Sequence, residues 1–463
     1  MNHSKIVPFG TAVMIFLSMI VIIFISLFYL KTEPHLPLML CLVLLSGVAF
    51  IYRYSWKEIE AGLVKGIQNG VQPIIILALI GILIGAWMFS GTIPTVMISA
   101  LNLIDPGSLL ILTLICCTII SSLVGSSFTT VSTVGVALMG VAIAAGVPVE
   151  WAAGAVICGA CFGDKMSPMS DTTNFASGVA AVNIFTHIRH MAKTTIPAFL
   201  ITAFLFWYLG TTLTINAATL ENIQEIISVM QQHVQISLLT LVSPLIVIAL
   251  AITRVPVIPA LAAGIATAGA TGILLQDGAS FAQFLNVLQN GTAFDIKQET
   301  VQKMLNRGGL QSMMWSISLI MIAFALGGLM DTMQLIQTLL KGLIMRIKEK
   351  GQLILATVSS AIGVNLVTGE QYLSILIPGQ SFKDAYEKMN IDKKYLSRSL
   401  EDAGTLINPL IPWGVSGAFF AQTLGVDVIE YLPFAFFLYL SPILSILFGF
   451  LPGRKKPEKQ LAA

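Results

Sequence analysis

Apolar side chains run almost without interruption from Thr11 to Leu30, from Leu36 to Ile51 and from Pro73 to Phe89. Each run approaches the roughly 20 residues that an α-helix needs to cross a bilayer. None alternates apolar with polar positions, as the strands of a membrane barrel would. The pattern predicts spanning segments at about 8–30, 37–52, 71–90, 150–180, 194–213, 236–253, 256–275, 312–332, 399–421 and 431–452. Two further regions, 108–147 and 352–380, hold two apolar limbs around a polar centre, GSSFTT (125–130) and GVNLVTGEQ (363–371). Each pair is either two full spans or a re-entrant hairpin. Limbs of roughly 15 and 9 residues in the second pair are too short to span, which favours hairpins in both. The expected fold is all-α, a polytopic membrane protein.

Composition agrees. The chain is 56% hydrophobic and 10% charged, against about 25% charged in a soluble domain. Lys5 precedes an apolar stretch longer than a signal core, with no small-x-small cleavage site after it, so this stretch reads as a retained first helix. Of the 25 lysines and arginines, 20 fall on the side of the N-terminus, four (Lys31, Lys297, Lys303, Arg307) on the other, and Lys165 inside the membrane. That bias predicts both termini in the cytoplasm. Asp331 reads as a helix-end residue. The net charge of +2 gives no reason to expect a nucleic-acid partner.

The chain repeats itself. LVKGIQNGVQ (63–72) resembles VQKMLNRGGLQ (301–311), with Lys65 and Gly70 matching Lys303 and Gly308 at a shift of 238. GDKMSPMSD (163–171) matches GTLINPLIP (404–412), with Gly163 and Pro168 against Gly404 and Pro409 at a shift of 241. Gly125 and Gly363 open the two polar centres, 238 apart. Two repeats are expected, residues 1–230 and 231–463, the second ending in a short basic tail. Each would hold about five spanning helices, a re-entrant hairpin and a broken helix. Five spans plus a hairpin in the first half start the second from the opposite side, so the repeat should be inverted. Inverted repeats with broken helices at the midplane are a transporter architecture.

Polar chemistry gathers at the expected breaks. Pro168 and Pro409 each remove a donor and clash with the preceding turn, and broken backbone in a membrane belongs where it is buried or lines a water-filled cavity. Around Pro168 stand Asp164, Asp171, Ser167, Ser170, Thr172, Thr173 and Asn174. Hard cations take oxygen ligands; Asp164 and Asp171 are the candidate carboxylate ligands for sodium. A carboxylate at this depth also takes a proton when no cation is present, because leaving water disfavours its charged form. Ser126, Ser127, Thr129 and Thr130 add hydroxyls from the first polar centre; Asn365, Thr368 and Glu370 come from the second, and Asn408 from the second break. Glu401 and Asp402 stand equally open to a surface or a core position. Lys165 has three open roles: repelling a cation, pairing with Asp164, or moving between the two. An inert Asp164–Lys165 pair on a bent helix is the bland alternative, but ionisable residues inside a membrane mark a pathway by default.

Other side chains carry less. Cys41, Cys116, Cys117, Cys158 and Cys161 all lie in apolar segments and read as small buried residues. His3, His35, His187, His190 and His233 fall near predicted loops or helix ends and are assigned no site. His187 and His190 are placed on the cytoplasmic side, as loop residues. No Ser/His/Asp or H-E-x-x-H constellation is present, so no enzyme is expected, and no cofactor.

GSSFTTVSTVG (125–135), GDKMSPMSDTTNFAS (163–177) and LEDAGTLINPLIPWGVSG (400–417) resemble the NhaC family of sodium:proton antiporters, over about residues 50–450. The arrangement is also similar to the wider ion transporter superfamily, in which two hairpin tips and two broken helices frame the substrate. The resemblance implies hairpins over full spans and a secondary antiporter in the cell membrane. Its substrates would be sodium ions and protons, its surroundings lipid, with a homodimer one option for its assembly. A branch of the family exchanges malate and protons for lactate and sodium. An organic acid would need a cationic partner, and Lys165 with the half-helix N-termini are the intramembrane candidates. Arginine, the better carboxylate clamp, is absent from the predicted core, which favours plain cation exchange.

Overall fold

The computed structural model describes residues 7–103, 106–213, 217–344 and 347–451. His3 and six residues counted in the charge bias (Lys5, Arg346, Arg454, Lys455, Lys456, Lys459) lie outside the described residues. Among the described residues all regular structure is helical. Seven helices there are long and apolar enough to cross a membrane, or up to nine if each of two bent pairs counts as one span.

The first two apolar runs form α1 (Phe9–Phe24), carried on by a π turn to Tyr29, and α2 (His35–Ile51). Next comes α3 (Trp56–Asn69), started by a reciprocal cap in which Ser55 N–H donates to Glu58 Oε2 at 2.8 Å and Glu58 N–H to Ser55 Oγ at 3.3 Å. It is amphipathic, which is why a search for continuous apolar runs passes over it. Its Gly62 and Gly66 lie against Gly328; a Cβ on Gly66 would stand 2.1 Å from the Phe324 carbonyl oxygen. Then follow α4 (Val71–Phe89), α5 (Thr92–Leu103) and α6 (Leu109–Val124). Gly125 ends α6 at φ 72°, and the chain returns through α7 (Ser127–Thr130), a π turn and α8 (Val136–Ala144). The segment expected at 150–180 is α9 (Val149–Met166) and α10 (Asp171–Val179), interrupted at 167–170. α11 (Ile184–Thr212) starts ten residues earlier than its apolar run, because its polar first turns pack inside the protein.

The second half opens with α12 (Ala217–His233), α13 (Val242–Ile252), α14 (Val257–Leu275), α15 (Phe281–Asn290), α16 (Glu299–Leu305), α17 (Met314–Thr332) and α18 (Leu335–Ile344). The second pair of limbs is α19 (Lys350–Thr368) and α20 (Gln371–Lys388), of 19 and 18 residues. Both exceed the 15 and 9 expected from apolarity, and α19, like the returning limb Ser127–Ala144 of the first pair, is long and apolar enough to cross a membrane, so limb length no longer favours hairpins over full spans. The extra turns are polar in sequence but packed: Phe382 and Tyr386 are buried, and Tyr386 Oη lies 3.2 Å from Thr357 Oγ1. The turn between these limbs is at Gly369 (φ 64°), while Gly363 lies inside α19. α21 (Lys393–Gly404) follows, then a second interruption with a single 3-10 turn at Asn408–Leu410, and α22 (Val415–Leu424). α23 (Val428–Tyr431) leads into α24 (Phe436–Phe450).

Packing brings the two turns and the two interruptions together. α6 packs along α9 and α19 along α21; α10 packs on α20, and α7 on α22. Each turn glycine also closes on the residues just ahead of a restarting helix. A Cβ on Gly125 would stand 2.8 Å from the Met169 carbonyl carbon, and one on Gly369 would stand 2.7 Å from the Trp413 carbonyl oxygen. Left-handed backbone costs a non-glycine residue about 1–2 kcal/mol even without a clash. Gly125→Ala and Gly369→Ala should therefore each destabilise the purified protein by at least about 2 kcal/mol, read as a lowered thermal midpoint. Gly10→Ala, with nothing within 4 Å, should leave the midpoint in place.

Candidate functional site

Where α9 stops and α10 restarts, the freed backbone is met by nearby side chains. Ser170 Oγ caps α10 by accepting from Thr173 N–H at 3.3 Å. Asn174 Nδ2 donates to the carbonyls of Pro168 and Ser170, each at 2.8 Å. Ser167 Oγ accepts from Met169 N–H at 3.2 Å. Asp164 sits in the last turn of α9, and its Oδ2 accepts from Ser127 N–H at 2.9 Å and Ser127 Oγ at 2.7 Å. Ser126 caps α7, accepting from Thr129 N–H at 3.2 Å and Thr129 Oγ1 at 3.1 Å. The turn after Gly125 is thereby joined to the interruption through one carboxylate oxygen.

These groups border a cavity of about 210 Å³ lined by Ser126, Phe128, Asp164, Asp171, Thr172, Glu370 and Tyr372. That is room for several water molecules. A wider vestibule of about 490 Å³ shares Gln72, Ser126 and Asp171 with it and adds Thr129, Pro168, Asn174 and Arg254. Glu370 is buried in the wall and caps α20, accepting from Leu373 N–H at 2.7 Å.

Other candidate residues stand apart from the cavity. Thr130 back-bonds to the Ser126 carbonyl at 3.0 Å, and Thr368 to the Val364 carbonyl at 2.8 Å. Thr173 Oγ1 turns to the Lys165 carbonyl at 3.1 Å and Glu401 Oε1 at 3.3 Å. Asn365 donates to the carbonyls of Ala403 and Gly404 at 3.1 and 2.7 Å. Asn408 donates to Asn365 Oδ1 at 3.0 Å and the Gly369 carbonyl at 2.9 Å, and accepts from Ser416 N–H at 2.7 Å. The Pro409 carbonyl accepts from Tyr431 Oη, and the Leu366 carbonyl from Trp413 Nε1. The polar groups at the second interruption are thus engaged with partners, and the cavity of about 230 Å³ beside it is lined mainly by apolar side chains, whereas the first borders a cavity lined by carboxylates and hydroxyls.

Residues 159–452 match the profile of the Na+/H+ antiporter family. The chain is 60% identical to the Na(+)/H(+) antiporter NhaC of Bacillus subtilis (strain 168), over 97% of this chain and 99% of that one. The chain belongs to the Na+/H+ antiporter family. Among other family members, the Na(+)/H(+) antiporter NhaC of Alkalihalophilus pseudofirmus is 52% identical over 96% of each chain. The Malate-2H(+)/Na(+)-lactate antiporter of Bacillus subtilis is 32% identical, over 86% of this chain and 85% of that one.

Beneath the cavity this antiporter carries a charge cluster that its sequence pattern hides. Lys165 pairs with Asp402, not Asp164, at 2.5 Å. Arg398 approaches Asp402 Oδ2 at 3.9 Å and donates to the Ser445 carbonyl at 3.3 Å. Asp402 also accepts from Thr194 at 3.3 Å and Ser441 at 2.8 Å. Arg398, Glu401 and Asp402 are all buried, so the core does hold an arginine and the two acids are not at the surface. His187 and His190 are likewise buried, in α11 and not in a loop; His187 Nδ1 lies 2.9 Å from Ser397 Oγ. The available signal was in KKYLSRSLEDAG itself. Its charges come with Ser397, Ser399, Ala403 and Gly404, small residues that let a helix be packed on every side.

Removing one member of a buried pair leaves an uncompensated charge, a loss of about 3–5 kcal/mol. Lys165→Met should destabilise by that order in thermal unfolding, and adding Asp402→Asn should recover part of it. A Lys165→Met protein with wild-type stability would show that the pair does not support the fold.

Proposed function

We propose that the chain exchanges sodium ions for protons across the cell membrane, with Asp164 as the carboxylate that binds one or the other. The observation that carries this is the placement of Asp164: at a helix interruption, held by Ser127, in the wall of a cavity with room for water. Asp171 enters the same cavity from the restarting helix. Ser126 and Thr172 supply neutral oxygens, and Glu370 faces them from the other hairpin. Removal of an ion from water is offset by these oxygens, and a proton on the same carboxylate excludes the ion. One site that holds sodium or protons, never both, gives exchange by alternating access. Asp164→Asn and Asp171→Asn should each lose exchange while still inserting.

The two-repeat organisation, residues 1–230 and 231–463 in inverted orientation, belongs to the same proposal. A constant offset of 244 supports it. Gly125 and Gly369 are the left-handed caps, Ser126 and Glu370 the N-caps that follow. Ser121 donates to the Ala160 carbonyl at 2.6 Å as Asn365 does to Gly404. At that offset the partner of Pro168 is Pro412 in place of Pro409. The charge bias supports cytoplasmic termini, with Arg398 removed from the count because it is buried in the protein.

Organic-acid exchange is the second reading, favoured by the malate/lactate relative. It needs a cation to hold the acid, and Lys165 and Arg398 are both engaged with Asp402, outside the cavity; Arg254 lines only the outer vestibule. The test is proton flux in proteoliposomes after a sodium jump with no organic acid present. Sodium-driven proton movement, lost in Asp164→Asn, is the expected result. Flux that awaits malate or lactate would make the second reading the function.

A further inference from the structure

Glu401 and Asp402 are neighbours on α21, both buried, and they hold opposite ends of the first interruption. Asp402 takes Lys165, two residues before the interruption at Ser167. Glu401 Oε1 accepts from Thr172 and Thr173 in the first turn of α10, each at 3.3 Å. Asp402 is further fixed by Thr194 of α11 and Ser441 of α24. Glu401 has no such second anchor: its Oε2 is buried without a hydrogen-bond partner, and Thr405 of its own chain segment stands 3.5 Å from Oε1. Among the described residues its side-chain hydrogen bonds to another element are those from the start of α10; Lys165 and Asp164 act on its charge without a hydrogen bond. Glu401 lines neither the cavity nor the vestibule.

We propose that Glu401 and Asp402 form a two-point clamp on the first interruption, with Glu401 as the positioning residue that sets where α10 stands against Asp164. Asp402 fixes the upstream limb to the core of the protein. Glu401 fixes the downstream limb, which carries Asp171 and Thr172 into the cavity. The gap between them is what a cation bound at Asp164 and Asp171 would have to fit, and a displacement of about 1 Å is enough to loosen such a site. The second broken helix then serves the first as a gauge.

The test is a double-mutant cycle between Glu401→Ala and Thr173→Val in the full-length protein. Thr173 is outside the cavity, so its loss reports on the clamp. Half-saturating sodium for proton exchange in proteoliposomes should rise about tenfold in either single variant, with the maximal rate within about threefold. The double variant should rise by clearly less than the product of the two single effects, because the Thr173–Glu401 contact is lost in both, while each also loses a contact of its own, Glu401 to Thr172 and Thr173 to the Lys165 carbonyl. Glu401→Gln, which keeps an acceptor at the same reach, should return half-saturation to within about threefold of wild type. Deuterium uptake over residues 166–174 should quicken in both single variants. Half-saturation and deuterium uptake both unchanged in Glu401→Ala, or effects that multiply in the double variant, would overturn the clamp. If Glu401→Ala is not monodisperse, Thr173→Val and Glu401→Gln carry the same readouts. The sodium readout rests on the exchange reading above and deuterium uptake does not. Wild-type vesicles without sodium-driven proton flux would remove that reading and leave the clamp to be judged by uptake.

Discussion

A helix interrupted inside a bilayer releases backbone groups that lipid cannot satisfy, and much of this structure follows from that demand. Around the first interruption the groups are met by Asn174 and by the caps of Ser167 and Ser170. Around the second they are met by Asn365 at the carbonyls of Ala403 and Gly404, by Tyr431 at the Pro409 carbonyl and by Asn408 at the Ser416 N–H. The turns after α6 and α19 are drawn in because each offers a glycine at the point of closest approach. The broken helices are therefore the centre of a polar interior that the surrounding apolar helices enclose.

The two interruptions solve the same problem differently. The second uses neutral amides and aromatic donors, each with a defined partner, and the cavity beside it is lined mainly by apolar side chains. The first uses a carboxylate whose one oxygen is held by Ser127 while the site stays open to a cavity. One interruption serves as a brace and the other as a candidate binding site. The acids on α21 stand between them, tied to both limbs of the first interruption.

The membrane class, most spanning segments and the proline-centred interruption at 163–174 were legible because apolar runs and helix breakers are strong local signals. Amphipathic α3 and α15 were not, since half of each faces outward and neither forms a continuous apolar run. The polar ends of α11, α20 and α21 read as cytoplasmic surface for a plainer reason. A charged residue pattern looks the same whether water or a partner elsewhere in the chain neutralises it. Lys165 and Asp402 are 237 positions apart, so neither announces the other. The polar centre 363–371 holds two glycines, Gly363 and Gly369, and only backbone conformation shows that the turn is at Gly369.

The size of the inner cavity bears on how an ion would be told from its neighbours. A space of about 210 Å³ admits an ion with much of its hydration shell intact, so entry demands little stripping and offers little discrimination. On the proposed exchange by alternating access, dehydration, the step in which ions of different radius differ most, would then fall to the closing of the walls. Selectivity in such a design would be a property of closure, set by how far the walls can travel before they meet.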